Sequence, residues 1–484
     1  MIRRVSQAVV VLADGVGASF LQPLIGTGEY PALDRLAAVG GPGGPRAASS
    51  VFPTTTGPAH LPFITGRFPG PCNIPGIRWF DPGRYGRHAF GSGRFRSYMG
   101  PGSYLASRDL AREVATLFEL VADHACIGGH ARRGVGPGRN LTRWSKAATS
   151  VLSFVSEDWT RSDRIAARRL VEAVDRGTRL VFASFYGGDA AAHKWGKGPQ
   201  VREGCRRIDS AIGEVLSRLE SNGRADQTLL LVVSDHGFSD TTAHLDLHRL
   251  VQDAIGPTLA HPQVWRGYFG GAAAAVMVSG NAMAHVYLRG AGWERSPALD
   301  PPGPEASRLL DALLREPAVD QVILRGSPTA AIVASARGRA RICRHEGRIL
   351  YAPEAGGDAF GYDAGLAGCR DEDGWLTATW DTDYPDAPVQ ILQLLASPRA
   401  GHLLVTARPG FDLRARFEKP PHRGSHGALH RLHVMTPLLS THPLRSGPVR
   451  TADVMPTVLD ALGEPVPPGL DGRSLWPDSR GDGA

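Results

Sequence analysis

The stretch of residues 228–240, TLLLVVSDHGFSD, constrains the fold of this chain more than any other. Its apolar run stops at Ser234 and is followed at once by Asp235 and His236. A continuous apolar run bounded by small and polar residues is typical of a strand buried on both faces of a sheet. In open α/β sheets, ligands bind where such strands end. An Asp and a His presented together at a strand end are suitable ligands for Zn²⁺. The alternative, equally simple, is that the strand ends in an Asx turn before Gly237 and binds no metal.

Further apolar runs alternate with segments of helical periodicity along the first half of the chain. Strands are predicted at residues 7–13 and 179–186, and helices at residues 31–39, 110–125, 162–175 and 201–219. Strand–helix alternation of this kind predicts a mostly parallel sheet with helices on both faces.

The pattern changes after about Leu245. Residues 246–400 mix short strands with Pro- and Gly-rich loops, and the first pattern resumes at HLLVTA (residues 402–407) and at the helix predicted for residues 451–462. We therefore predict an α/β core formed by residues 1–245 and 401–484. A smaller α+β cap, residues 246–400, is inserted into it and is expected to select the substrate.

The composition is that of a globular protein outside the membrane, with 42% hydrophobic and 21% charged residues. No apolar run approaches the roughly 18–20 residues that span a bilayer. Residues 1–16 lack the cleavage site of a signal peptide, and the five cysteines are scattered without CxxC spacing, which indicates reduced thiols. We expect a cytoplasmic protein.

The net charge of +7 comes from dispersed arginines, which favours small anionic ligands over a nucleic-acid polymer.

Several acidic and imidazole side chains follow predicted strands, as the Asp-His pair does. Asp14 follows QAVVVLA, and Asp189 and His193 follow RLVFASFY. The i, i+4 spacing of the latter two places both on one face of a helical turn. His426 lies late in the chain, in RGSHGALH. Each residue alone has a structural explanation, as a turn residue, a helix cap or a loop histidine, but their joint occurrence predicts a metal site.

A threonine-rich turn, TTTGPAH (residues 54–60), precedes the helical pattern LPFITG. A threonine hydroxyl acts as a nucleophile only when a base or a bound metal activates it. Near a helix N-terminus it would lie beside free backbone N–H groups, which bind phosphate. On the residues alone, a turn with a helix cap is the simpler interpretation.

These motifs together resemble the alkaline phosphatase superfamily, specifically its type I phosphodiesterase/nucleotide pyrophosphatase branch. They occur in the family's order: VVLADGVG, TTTGPAHLPFITGRFP, IPGIRWF, GGDAAAHKWG, VVSDHGFSD, GSHGALH and RTADVMPTVLDALGEPVPPGLDGRSL. The match covers roughly residues 5–245 and 402–475. The resemblance implies an alkaline phosphatase-like core and a metal-dependent hydrolase of small anionic phosphate esters, above all of phosphodiester or pyrophosphate bonds.

The resemblance also implies two zinc ions, with other divalent ions as an alternative. Carried over by motif, the ligands of one ion would be Asp14, Thr56, Asp235 and His236, and those of the other Asp189, His193 and His426. Thr56 stands immediately before Gly-Pro-Ala-His, which matches the family's nucleophile turn. It would attack phosphorus and form a covalent phospho-threonine.

Two positions depart from the family's pattern. Ala59 stands where the family commonly has Asn, and Ile77 aligns with a second Asn that contacts the phosphoryl oxygens. We expect the adjacent Arg78 to supply this contact, because a guanidinium offers forked donors and a full charge; a surface arginine is the alternative.

Four other functions remain to be weighed against a diesterase. Phosphomonoester and phosphonate hydrolysis stay open, because the inserted region would choose the substrate. A sulfatase is disfavoured, since Thr56 occupies the nucleophile position. A non-catalytic binding protein on the same scaffold should have lost metal-ligand positions, and none of the six proposed Asp and His positions is missing.

Overall fold

The computed structural model describes residues 4–39, 46–87, 94–143, 159–261, 271–294, 297, 299–354, 356–415, 418 and 421–477. The strands are β1 (Gln7–Ala13), β2 (Arg46–Ser49), β3 (Arg78–Phe80), β4 (Phe95–Ser97), β5 (His124–Ile127), β6 (Leu180–Phe185), β7 (Thr228–Val233), β8 (Ser239–His244), β9 (Thr258–Ala260), β10 (Ala274–Val278), β11 (Met283–Leu288), β12 (Val319–Ser327), β13 (Ala330–Ser335), β14 (Gly338–His345), β15 (Arg348–Pro353), β16 (Gly368–Arg370), β17 (Leu403–Ala407), β18 (Gly410–Asp412), β19 (Gly424–Ser425) and β20 (Met435–Ser440). The α-helices are α1 (Ala18–Leu21), α2 (Pro31–Val39), α3 (Leu61–Thr65), α4 (Pro82–Arg87), α5 (Tyr104–Asp109), α6 (Leu117–Leu120), α7 (Thr160–Asp175), α8 (Gly187–Trp195), α9 (Pro199–Ser221), α10 (Leu247–Ile255), α11 (Pro304–Leu314), α12 (Glu372–Thr379), α13 (Ala387–Leu395), α14 (Arg431–Val434) and α15 (Val454–Leu462).

A six-stranded sheet has the order β2-β20-β7-β1-β6-β5, in which β7, β1, β6 and β5 are parallel. Every residue of β1, β6 and β7 is buried, which explains their continuous apolar runs. Helices α3 and α15 pack on one face and α2, α7 and α9 on the other. The predicted parallel sheet with helices on both faces is confirmed.

A nine-stranded sheet, β16-β15-β14-β13-β12-β17-β11-β10-β9, is antiparallel except for the β9–β10 pair. The prediction that HLLVTA returns the chain to the first sheet is wrong: β17 pairs with β11 and β12 in the middle of the second sheet. An apolar run predicts a buried strand but not its partners. The chain returns to the first sheet at β20, so the proposed boundary at residue 400 does not coincide with a change of sheet.

The helix predicted at residues 110–125 is also wrong, since the structure has only the single turn α6 there. Thr116 and Glu119 form a capping box, in which each side chain accepts a hydrogen bond from the other's backbone N–H. Such a box starts a helix at Thr116 rather than continuing one through it. Leu110 and Val114 are nevertheless buried, which accounts for the helical periodicity of the apolar residues. No helix among the described residues has the length and apolar character needed to cross a bilayer.

Candidate active site

The carboxyl ends of three parallel strands bring the first candidate residues together. Asp14 directly follows β1, α8 begins just after β6, and Asp235 lies two residues beyond β7. The strands are in register there, because Leu12 of β1 lies opposite Ser184 of β6 and Val233 of β7. Asp14 and Asp235 are completely buried, and Oδ1 of Asp235 accepts a hydrogen bond from the backbone N–H that follows Asp14, at 3.2 Å. Two carboxylates therefore meet at the sheet edge where the sequence predicts them.

Three histidines are held in the same way around these carboxylates. His193, on α8, and His236 and His426, on loops, each donate Nδ1–H to a backbone carbonyl oxygen. The acceptors belong, in that order, to Gly424, Gly237 and Thr54, at 3.0, 3.1 and 2.8 Å. A carbonyl can only accept, so Nδ1 carries a proton in each ring and Nε2 is left to face the site. Metal-binding histidines are oriented by this kind of hydrogen bond.

The atoms that face one another in the site call for a cation between them. Nε2 of His193 lies 3.0 Å from Nε2 of His426 and 3.4 Å from Oδ1 of Asp189. Oδ1 of Asp189 and Oδ2 of Asp235 are buried and have no hydrogen-bond partner among the described residues. Ligand atoms lie within 4.8 Å of one another in each of two groups, Asp14-His60-Asp235 and Asp189-His236-His426. Carboxylate oxygens and imidazole nitrogens in this arrangement fit divalent metal ions, zinc included.

The electrostatics of the site lead to the same requirement. Burial and the negative charge of Asp235 raise the pKa of Asp14 to about 7. Burial opposes protonation of His60, but the charges of Asp235 and Asp14 prevail and raise its pKa to about 9. Burial and the positive charges of neighbouring histidines hold the pKa of His426 well below its usual range, so it is neutral and able to bind a metal. Two adjacent buried carboxylates resist joint ionisation unless positive charge is placed beside them.

The hydroxyl of Thr56 points at this cluster. Its Oγ1 donates to Oδ1 of Asp14 at 3.2 Å and lies 3.4 Å from Nε2 of His236. Thr54 is buried and its hydroxyl donates to a backbone carbonyl oxygen at 2.9 Å, so it is turned away. The hydroxyl of Thr56 therefore faces the cluster and that of Thr54 does not, and the role of Thr56 as the nucleophile stays a prediction.

A turn that depends on a glycine presents this threonine. Gly57 has a φ of 101°, a conformation that residues with a side chain rarely adopt. A Cβ at this position would also meet Nε2 of His130 at 3.0 Å. A 3₁₀ turn at Pro58–His60 then leads into α3. The helix predicted from LPFITG is therefore present, but it begins after a tighter turn.

His60 is a residue of this site that sequence reasoning misses. Its Nε2 lies 3.1 Å from Oδ2 of Asp14 and 3.2 Å from Oδ2 of Asp235, and its side chain is 3% exposed. Its Nδ1 is buried and has no hydrogen-bond partner among the described residues. The signal was present in the sequence, because His60 is the only ionisable residue in TTTGPAH.

Arg78, the predicted phosphate contact, is engaged elsewhere in this structure. Its Nη1 donates to Oε1 of Glu418 at 2.8 Å, and the two side chains are 13% and 11% exposed. Its contacts among the described residues include neither Thr56 nor a predicted metal ligand. Binding of a substrate anion by Arg78 therefore stays a proposal, and it requires the carboxylate of Glu418 to be replaced.

The family model described as type I phosphodiesterase / nucleotide pyrophosphatase matches residues 8–429. No curated protein sequence matches the chain.

Solved structures match nearly the whole chain at low sequence identity. Phosphonoacetate hydrolase from Sinorhizobium meliloti, in complex with phosphonoformate, is 16% identical with a TM-score of 0.55 over 96% of both chains. Human ectonucleotide pyrophosphatase / phosphodiesterase 5 is 12% identical with a TM-score of 0.57 over 97% of this chain and 98% of that one. An inactive form of the murine protein, in complex with AMP, is 13% identical with a TM-score of 0.54 over 96% of both chains. These likenesses confirm the predicted alkaline phosphatase-like fold.

Proposed function

Because this chain belongs to the type I phosphodiesterase/nucleotide pyrophosphatase family and is a phosphoric ester hydrolase, we propose that it cleaves phosphodiester or pyrophosphate bonds through a covalent phospho-threonine. The observation that carries the proposal is the hydroxyl of Thr56, 3.2 Å from Asp14 at the edge of a buried cluster of carboxylates and imidazoles. In the proposed reaction, Oγ1 of Thr56 bonds to phosphorus while the bond to the leaving oxygen breaks. Water then hydrolyses the phospho-threonine and restores the hydroxyl.

Metal dependence comes with the family, and we propose that two zinc ions are bound. The proposed ligands are Asp14, Thr56, Asp235 and His236 for one ion and Asp189, His193 and His426 for the other. When bound, the ions supply positive charge that favours the ionised hydroxyl and stabilises the departing oxygen. The short distances between ligand atoms support this assignment: Nε2 of His236 lies 3.3 Å from Oδ2 of Asp235, and Nε2 of His193 lies 3.0 Å from Nε2 of His426.

The chain's own residues orient the reacting groups. Asp14 accepts the hydrogen bond from Thr56 and so fixes the direction of its oxygen. The carbonyl partners of the three histidines fix their ring orientations before any ligand binds. Holding reacting groups in place in advance removes much of the entropic cost of the reaction.

We propose that the inserted residues 246–400 select the substrate. A turn between β10 and β11 supports this, because it contacts the nucleophile turn and the loop of His426. Gly280 packs so closely on Thr55 that a Cβ there would lie 2.9 Å from Cβ of the threonine. The backbone N–H of Ala282 donates to the carbonyl oxygen of His426 at 2.8 Å.

A second candidate is phosphomonoester or phosphonate hydrolysis. It is favoured by Ala59 and Ile77, which stand where the family pattern has asparagines.

We also propose a cytoplasmic location, since all five cysteines are free thiols and three of them are buried. Cell fractionation tests this location, and recovery of the protein outside the cytoplasm would contradict it.

The test of the function compares wild-type protein with Thr56→Ala and Thr56→Ser on bis-p-nitrophenyl phosphate, p-nitrophenyl phosphate and phosphonoacetate. We expect Thr56→Ala to lose turnover but still to bind zinc in elemental analysis, because Asp14, Asp235 and His236 remain to hold that ion. Thr56→Ser keeps a hydroxyl and should keep part of the activity. Mass spectrometry of acid-quenched wild-type enzyme should find phosphate on Thr56. Turnover by Thr56→Ala above about a tenth of the wild-type rate would refute the nucleophile, since losing a covalent catalyst costs far more.

A further inference from the structure

His60 contacts both carboxylates of the zinc ion that is proposed to bind Thr56, here called the first ion. Nε2 of His60 donates to Oδ2 of Asp14 at 3.1 Å and lies 3.2 Å from Oδ2 of Asp235. The imidazole is 3% exposed and both carboxylates are 0% exposed, so these contacts are made away from bulk solvent. An imidazole in this place either binds the ion itself or holds the carboxylates that bind it.

The hydrogen bonds of His60 are the reverse of those of the three histidines proposed as ligands. In each of those three rings Nδ1–H donates to a backbone carbonyl oxygen, which leaves Nε2 without a proton and able to bind a metal. Nδ1 of His60 is buried and faces no acceptor among the described residues. Its Nε2 faces carboxylate oxygens, which only accept hydrogen bonds when they are ionised. The proton of His60 therefore belongs on Nε2, and in that form Nε2 has no lone pair for a metal.

The hydrogen bond from His60 determines which oxygen of Asp14 is held and which is free. With Oδ2 bound to His60, Oδ1 lies 3.2 Å from Oγ1 of Thr56, nearer than Oδ2 at 3.5 Å. Oδ1 is also the oxygen that lies 3.6 Å from Nε2 of His236, a proposed ligand of the first ion. The terminal torsion of an aspartate is soft and roughly two-fold. A donor fixed on Oδ2 is therefore what keeps Oδ1 directed at the nucleophile.

His60 and the proposed nucleophile belong to one turn. The backbone N–H of His60 donates to the carbonyl oxygen of Gly57, the residue after Thr56, at 3.2 Å. The ring of His60 lies at 16° to the ring of Tyr186 and meets the ring of His130 at 70°, with centroids 6.2 and 5.9 Å away. The turn that presents the hydroxyl of Thr56 thus also presents the donor for the carboxylate that accepts from this hydroxyl.

We propose that His60 is a positioning residue and not a metal ligand: it donates Nε2–H to Asp14 and so holds this carboxylate in the orientation that binds the first ion and receives the hydroxyl of Thr56. The inference rests on the proposed function, since it takes the first ion to bind at Asp14 and Asp235. Hydrogen-bond partners of metal ligands typically contribute about ten- to hundredfold to metal affinity.

Two amide substitutions separate positioning from direct binding. In His60→Gln the amide nitrogen can take the place of Nε2 and donate to Asp14, whereas the shorter side chain of His60→Asn reaches only the place of Nδ1. Calorimetric titration of metal-free protein with Zn²⁺ should show the first ion bound at least about tenfold more weakly in His60→Asn, and within about threefold of the wild-type affinity in His60→Gln. The second ion should bind equally well in all three proteins, because the contacts of His60 among the described residues include none of its proposed ligands.

Cobalt absorption tests direct binding by a second route. The visible bands of Co²⁺ loaded in place of Zn²⁺ depend on the number and type of its ligands. Wild-type protein and His60→Gln should give the same bands, since no ligand is exchanged. His124→Asn is the matched control: this histidine is 4% exposed and begins β5, at the end of the parallel strands opposite the site, so its loss should leave Zn²⁺ affinity unchanged.

Three results would overturn the inference. Equal loss of Zn²⁺ affinity in His60→Gln and His60→Asn, or shifted Co²⁺ bands in His60→Gln, would make His60 a ligand. Unchanged affinity in His60→Asn would mean that its hydrogen bond does nothing for the metal. The Co²⁺ comparison does not use His60→Asn, so it decides the matter even if that variant fails to fold.

A failure of the proposed function looks different. Wild-type protein that binds no zinc would refute the metal centre, and this inference with it, before any variant is compared. Turnover by Thr56→Ala would refute the nucleophile and leave the differences between the His60 variants intact.

Discussion

Replacing Arg450 by methionine is expected to lower the free energy of unfolding by about 3–5 kcal/mol, the cost of breaking a buried ion pair from one side. Nε and Nη2 of Arg450 donate to the two carboxylate oxygens of Asp386 at 2.7 and 2.8 Å. The two side chains are 4% and 0% exposed. The pair joins the segment that leads into α15 to α13 of the inserted region.

The magnitude follows from what the substitution leaves behind. Burial already raises the pKa of Asp386 above its usual value, although the charge of Arg450 opposes the rise. Without Arg450 this carboxylate must either take up a proton or remain charged with Gln390, which donates at 2.8 Å, as its side-chain partner. Either outcome costs several kilocalories, because desolvation of the charge is no longer offset.

Arg473 provides an internal control. It pairs with Asp373, a residue that Arg450 also contacts, but these side chains are 57% and 52% exposed. Arg473→Met should therefore cost less than about 1 kcal/mol. The assay is urea unfolding followed by circular dichroism and tryptophan fluorescence, with coincident transitions required before midpoints are converted to free energies.

A double-mutant cycle tests the physical reasoning itself. Asp386→Asn keeps the shape of the side chain, and asparagine tolerates the φ of 60° at this position. The double variant Asp386→Asn/Arg450→Met should be more stable than the sum of the single effects predicts, by more than about 1 kcal/mol, because no unpaired charge remains. Additive costs, or equal shifts for Arg450→Met and Arg473→Met, would refute the account.

Three further predictions concern pH, metal and the nucleophile turn. Burial lowers the pKa of His285 and of His402 to about 4. Between pH 6.5 and 4 the unfolded chain therefore binds protons that the folded chain does not. As the pH is lowered through this range, the free energy of unfolding should decrease by about 3 kcal/mol per histidine. His402→Gln should flatten the urea midpoint against pH, and an unchanged slope would contradict the assignment. Chelation should lower the thermal unfolding temperature, and added Zn²⁺ should restore it, because ligands of the folded state stabilise it; no shift in fluorimetry would exclude tight metal binding. Gly57→Ala should reduce turnover at least about tenfold, since it strains the turn and crowds His130, whereas Gly26→Ala, at a φ of 79° with no atom within 4 Å, should leave kcat unchanged.

The fold of the core could be predicted because its signals are local. Burial on both faces requires apolar residues throughout a strand, so β1 and β7 coincide with the predicted runs to within one residue. Parallel pairing then puts their carboxyl ends at one edge, which places Asp14 and Asp235 together before any side-chain contact is known. The family model confirms the resemblance that the motifs carry.

The strand β17 shows where local signals stop. HLLVTA is apolar like the core strands, and the five residues of it that form β17 are all buried. Its neighbours are β11 and β12, which lie far from it in the chain. Nothing in a six-residue apolar run distinguishes one buried sheet from another, because the pairing depends on contacts that the run itself does not encode.

The same distinction separates the proposed metal site from substrate selection. Asp189 and His193 are four residues apart, so the helix that contains them is enough to bring them onto one face. Arg78 and Glu418 are 340 residues apart, and only the folded chain shows that the arginine already holds an anion. Metal-ligand chemistry can thus be inferred from motifs at strand ends. Which charged side chains lie beside one another when they are far apart in the chain depends on the folded structure as a whole.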